Sequence, residues 1–166
     1  TRLATLTSKA TMRVIGLVLG QVDRLTHGAA GVVSSRELQK NVAAWGESGT
    51  LEQVLTHLLN AGYEIYLTAD HGNIEAVGVG NPKTGSLTEE RSERALVFTH
   101  PALRDSVAEM FPNAVPWEGA GLPDNWHALL ATGFEAFTTS GKLTLSHGGI
   151  SIEEMVVPFV RMRQRT

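Results

Sequence analysis

The sequence contains no cysteine. That excludes a disulfide framework and any thiolate metal site, so a bound metal would rest on His, Asp and Glu alone. The absence fits a cytoplasmic protein. Charge of either sign is also short of an excess: 14 Lys and Arg stand against 17 Asp and Glu, a net charge of −3. With a sequence pI near 6.0, nothing general points to a reader of nucleic-acid backbones, which carries a basic surplus. The short basic run Arg161, Arg163, Arg165 reads as a solvated tail. No apolar stretch approaches the roughly 18 residues of a membrane span, and no signal-peptide pattern is present. The chain opens on Thr1, not Met, so it is expected to be processed or a piece of something longer. What is present is ordinary for one globular domain: 166 residues, 42% hydrophobic and 19% charged.

The pattern along the chain is that of an α/β protein. Residues 1–11 read as a weakly structured lead-in. Met12 to Gly20 (MRVIGLVLG) is a β-branched apolar run and predicts a buried parallel strand. A loop or short helix follows over 21–31, then a helix from Ser35 to Trp45 with Ser34 or Ser35 as N-cap. Thr50 is placed to cap a helix over 51–60. There Leu51, Val54, Leu55, Leu58 and Leu59 share one face, and Gly62 stops it. Tyr63 to Thr68 predicts a strand ending at Ala69-Asp70-His71-Gly72, where ligands of α/β sheets collect. Residues 73–92 read as a long polar, glycine-rich loop or hairpin excursion. Glu93 to Thr99 predicts a strand, 103–110 a helix, and 122–131 another helix with Pro123 near its start. Two short strands are expected around Ser140-Gly141, a capping box at Ser151 to Glu154, and a last strand over 156–162. Pro158 argues for an edge or a strand start there.

Three clusters carry candidate chemistry. Asp23 and His27 stand four residues apart, which on a helix puts both on one face. Asp70 and His71 follow a strand, and Gly72 permits the turn that lets adjacent side chains converge. His147 lies in Ser-His-Gly-Gly, where glycine allows close backbone approach. Mixed imidazole and carboxylate donors suit Zn²⁺ or Mn²⁺ better than Mg²⁺ or Ca²⁺. Asp23, His27, Asp70, His71 and His147 exceed one four-coordinate site and fall short of two. The remaining ligands are therefore expected outside this chain. His57, His100 and His127 lack partner motifs and read as structural. Arg91 and Arg94 could fork onto substrate oxygens, but surface pairing with Glu89, Glu90 or Glu93 is the better-supported reading.

Thr68-Ala69-Asp70-His71-Gly72-Asn73 resembles the Asp-His-Gly signature of the alkaline phosphatase superfamily. It is similar to that of the cofactor-independent phosphoglycerate mutases, and Asp23-x-x-x-His27 resembles their upstream ligands. Ser146 to Phe159 (SHGGISIEEMVVPF) resembles the end of the PglZ domain and differs from the mutases after their last histidine. The likeness runs from about residue 12 to 162. It implies a mostly parallel, alkaline-phosphatase-like sheet with flanking helices, with residues 1–166 forming the C-terminal part of one domain. It implies two divalent cations, Zn or Mn. Asp23, His27 and His147 would hold one. Asp70 and His71 would hold the other, together with an upstream Asp and a Ser or Thr nucleophile. Thr7, Ser8 and Thr11 are poor substitutes for that nucleophile, so the chain is read as a fragment lacking it and inactive alone.

The implied activity is metal-dependent hydrolysis of a phosphomonoester or phosphodiester, in a cytoplasmic protein of bacterial phage exclusion. Its companions there would be other defence subunits, possible among them a DNA methyltransferase. A protein-interaction module with a vestigial or structural metal site is the alternative, and a mutase-like or sulfatase-like relative is a third reading. An incomplete sheet would expose a strand edge and favour a homodimer.

Overall fold

The computed structural model describes residues 2–9, 11–27, 34–82, 92–118 and 121–165. In chain order the elements are α1 (Arg2–Thr7), α2 (Gln21–His27), α3 (Ser35–Glu47), α4 (Thr50–Asn60), β1 (Ile65–Thr68), β2 (Ile74–Gly78) and β3 (Ala95–Phe98). They continue with α5 (Pro101–Ala108), β4 (Val115–Trp117), β5 (His127–Leu130), β6 (Glu135–Ala136), β7 (Leu143–Ser146), α6 (Ile152–Met155) and β8 (Phe159–Met162). The result is a mixed α/β chain in two compact units, one built on α1 to α4 with β1 and β8, the other on β2 to β7 with α5 and α6.

In the first unit, α4 turns its leucine stripe inward and buries Leu58. It ends as Gly62 dictates: the Gly62 N–H reaches Leu59 O at 2.9 Å and the Tyr63 N–H reaches Leu58 O at 3.0 Å. This Schellman pair satisfies two terminal carbonyls. The lead-in contains a helix, α1, and Thr7 Oγ1 meets His57 Nε2 at 2.9 Å, which ties α4 to α1. β1 pairs antiparallel with β8, Tyr66 opposite Arg161. Pro158 stands just before β8, where no ladder N–H is required of it. The apolar run 12–20 forms no strand, against expectation. Val14 and Val18 are 83% and 97% exposed. A buried strand needs ladder partners for its N–H and C=O groups, and among the described residues this run pairs with none.

The second unit holds two three-stranded sheets, ordered β6-β2-β7 and β3-β5-β4. They are linked where the Phe137 N–H, just after β6, reaches Glu93 O, just before β3, at 2.6 Å; the Ala131 N–H to Arg94 O bond at 2.8 Å extends the β3–β5 ladder. Leu96, Phe98, Val107, Phe111, Leu129 and Phe137 form the core, with Phe111 and Phe137 edge to face at 5.2 Å. α5 contributes Val107 to it, starting at Pro101 as N1.

Three expectations change here. β5 was expected as a helix, because the run His-Ala-Leu-Leu reads the same in a buried helix and a strand covered on both faces. Its place between β3 and β4 decides for strand. β2 lies in the segment expected as a long loop or hairpin excursion, and no strand was placed there. Its inward residues Ile74, Ala76 and Gly78 include two so small that hydrophobic alternation barely registers. The sheets are also not mostly parallel among the described residues: only β2 with β6 is parallel, and the other pairings are antiparallel.

Candidate metal centre

The antiparallel pairing of β2 and β7 sets Ile74 opposite Ser146. The residues just before β2 therefore lie beside those just after β7. This register brings together two histidines 76 positions apart in the sequence. The rings of His71 and His147 stack with centroids 3.7 Å apart and an interplanar angle of 14°.

His71 is held in one tautomer. Its Nδ1 lies 2.9 Å from Gly72 O; a carbonyl only accepts, so Nδ1 carries the proton and the neutral ring keeps its lone pair on Nε2. Asp70 Oδ1 caps the His71 N–H at 3.1 Å and stands 3.9 Å from His71 Nε2, with the Asp70 side chain 90% exposed. Two donors on one tetrahedral cation sit about 3.4 Å apart at bond lengths of about 2.1 Å. The observed spacing is within a small side-chain rotation of that value. Next to them, Asn73 buries its side-chain oxygen without a hydrogen-bond partner among the described residues.

Both histidine loops lean on α6. The Gly72 N–H bonds Glu154 O at 2.8 Å, and a Cβ at Gly72 would sit 1.9 Å from Glu153 O, so only glycine permits the approach. The Glu154 carboxylate lies under the second loop. Oε1 accepts from Gly149 N–H at 2.8 Å, and Oε2 from Ser151 N–H at 3.1 Å, the reciprocal half of the expected capping box. Arg94 completes the set in fork geometry, Nε to Oε1 at 3.0 Å and Nη2 to Oε2 at 2.9 Å. Burial pushes the Glu154 carboxyl pKa up, but the Arg94, Gly149 and Ser151 hydrogen bonds outweigh it and hold it below the ordinary carboxylate value. Ser92 donates its hydroxyl to the His147 carbonyl.

The expected residues sort as follows. Asp70, His71 and His147 come together in the second unit. Asp23 and His27 belong to the first unit, on α2, which supplies the helix their spacing requires. Asp23 is exposed, and the His27 side chain lies outside the described residues, as does Arg91. Arg94 is corrected: its side chain is fully buried, and its third nitrogen, Nη1, is taken by the Glu135 carbonyl. It forks onto Glu154, not onto a substrate. The surface partner considered for it, Glu93, pairs with Lys142 at 2.8 Å. Glu154 and Ser92 went unnoticed as site residues. The sequence marks Glu154 only as a capping-box residue; its burial and its partner 60 residues away are decided by the tertiary structure.

A family model described as the BREX system PglZ alkaline phosphatase-like domain matches residues 2–162. The chain belongs to the PglZ family. A relative of this PglZ domain, the alkaline phosphatase-like protein BrxZ of Escherichia coli O9:H4 (strain HS), is 26% identical over 151 residues. The match covers 83% of this chain and 16% of that protein, so the PglZ domain described here spans under a fifth of its curated relative. Alkaline-phosphatase-like proteins generally use divalent metals. Among the described residues no cluster of three or more His, Cys, Asp and Glu side chains could hold a metal. Asp70 and His71 fit as a two-donor half-site by donor chemistry, tautomer and spacing. No helix among the described residues is long and apolar enough to cross a membrane.

Proposed function

We propose that this PglZ domain is part of a metal-dependent phosphoester hydrolase acting in bacterial phage defence. Asp70 and His71 offer donors to one divalent cation, Zn²⁺ or Mn²⁺. Asp23, His27 and His147 offer donors to a second. The chemistry supplied by such a bound pair is polarisation of a phosphoryl oxygen and activation of a hydroxyl nucleophile. The nucleophile and the missing ligands come from outside this chain, a reading supported by the donor shortfall and by the 16% coverage of the relative. The chain's own contribution is to hold the donors. Gly72 O keeps the Nε2 lone pair of His71 available, and the stack on His147 limits rotation of both rings.

One observation carries the reading: the His71 and His147 rings stack 3.7 Å apart, which sets imidazole donors from two separate motifs side by side. Whether substrate is a phosphomonoester or a phosphodiester follows from groups beyond this chain. The companions are other subunits of the BREX system, a DNA methyltransferase among them, and the setting is cytoplasmic. Titration calorimetry of the chain with Zn²⁺ and with Mn²⁺ tests the proposal. Heat of binding is expected for at least one ion, weakened about tenfold or more by Asp70→Asn or His71→Ala. Silence with both ions would turn the reading toward an interaction module.

A further inference from the structure

We infer that the buried Arg94–Glu154 pair is the positioning device that holds His71 and His147 against each other. This rests on the reading of those histidines as metal-binding groups, but it concerns residues that touch no ligand themselves. Glu154 is bonded to both loops. Its backbone carbonyl takes the Gly72 N–H beside His71. Its carboxylate takes the Gly149 N–H, two residues after His147, and the Ser151 N–H. A shift of Glu154 therefore moves both imidazoles.

Arg94 fixes the carboxylate in turn. The guanidinium fork sets its plane, and the bond from Nη1 to the Glu135 carbonyl ties the fork to β6. The segment entering β3 adds Ser92, whose hydroxyl holds the His147 carbonyl while accepting the Arg94 N–H at 3.2 Å. The side chains of Arg94 and Glu154 are 0% and 1% exposed, so neither can meet a ligand. Desolvating two charges is costly, and a well-packed apolar pair often serves stability as well. An apolar pair would leave the Gly149 and Ser151 N–H groups without acceptors. What the ionic pair supplies is a rigid acceptor for amides on the His147 loop. Gly149 leaves it room: a Cβ there would lie 2.8 Å from Glu154 Oε2 and from Arg94 Nη2.

The test uses the full chain, with Zn²⁺ alone as probe and the histidine ring signals read by NMR. In the wild type, ring-current shifts and nuclear Overhauser contacts between His71 and His147 are expected, with slow exchange of the Gly72 and Gly149 amides. Glu154→Gln, and separately the double change Arg94→Met with Glu154→Leu, should abolish the ring-to-ring contacts. Zn²⁺ affinity should fall about 10–100-fold, the usual cost of losing an outer-shell partner, while the Phe111–Phe137 core signals persist. Arg94→Lys, which keeps the charge and loses the fork, should give an intermediate loss. If the wild type takes no Zn²⁺, the metal reading fails, and the ring contacts and amide exchange still judge the positioning role. Intact ring contacts in a folded Glu154→Gln chain, or fast-exchanging Gly72 and Gly149 amides in the wild type, overturn it.

Discussion

At the scale of residues, Glu154 shows how a depressed carboxyl pKa becomes a stability statement. The native state favours the charged form, so it binds fewer protons there than the unfolded chain does. The pair's contribution is therefore fully present above the ordinary carboxyl value of 4.5. It is lost as pH falls through the lower native value. Urea denaturation of wild type and Glu154→Ala should differ by about 3–5 kcal/mol near neutrality, the cost of leaving a buried charge unpaired. The gap should narrow only below about pH 4.5; a gap already closing at pH 6 would mean another group is responsible. Asp70, His71 and His147 could be singled out from the sequence because Asp-His-Gly and His-Gly-Gly are local patterns. The partnership of Arg94 with Glu154 could not. Fork pairing depends on two side chains meeting across 60 positions, and either alone looks like an ordinary surface charge.

At the scale of elements, helices were easier to read than strands. The α4 stripe and its Gly62 stop are local, as are Pro101 at the start of α5 and the capping box of α6. Strands depend on neighbours. β5 is central, and its Leu129 is fully buried in the core. Leu129→Ala should cost about 2–5 kcal/mol by loss of transfer energy and the cavity left. A thermal melt shows this directly. Loss under about 1 kcal/mol would place Leu129 outside the core. β2 was hidden by its small inward residues, yet its register with β7 is what aligns the two histidine loops. One residue of slip would turn each side chain to the opposite face.

At the scale of the whole molecule, large apolar side chains stand exposed in the 12–20 run and on β8, among them Val14, Val18 and Phe159. Such surface favours association, and the chain is expected to dimerise or aggregate as its concentration rises. Light scattering that shows a monomer throughout a millimolar series would contradict this. What the sequence by itself determined is the family, through short motifs in fixed order, and which side chains are candidates to donate to a metal. Coordination chemistry selects side chains by type, and type is written in the sequence. What only the tertiary structure decided is which strands pair, and hence that His71 stacks on His147 above a buried ion pair. Pairing register is a non-local choice, made by the burial of both faces together, and no window along the chain contains it.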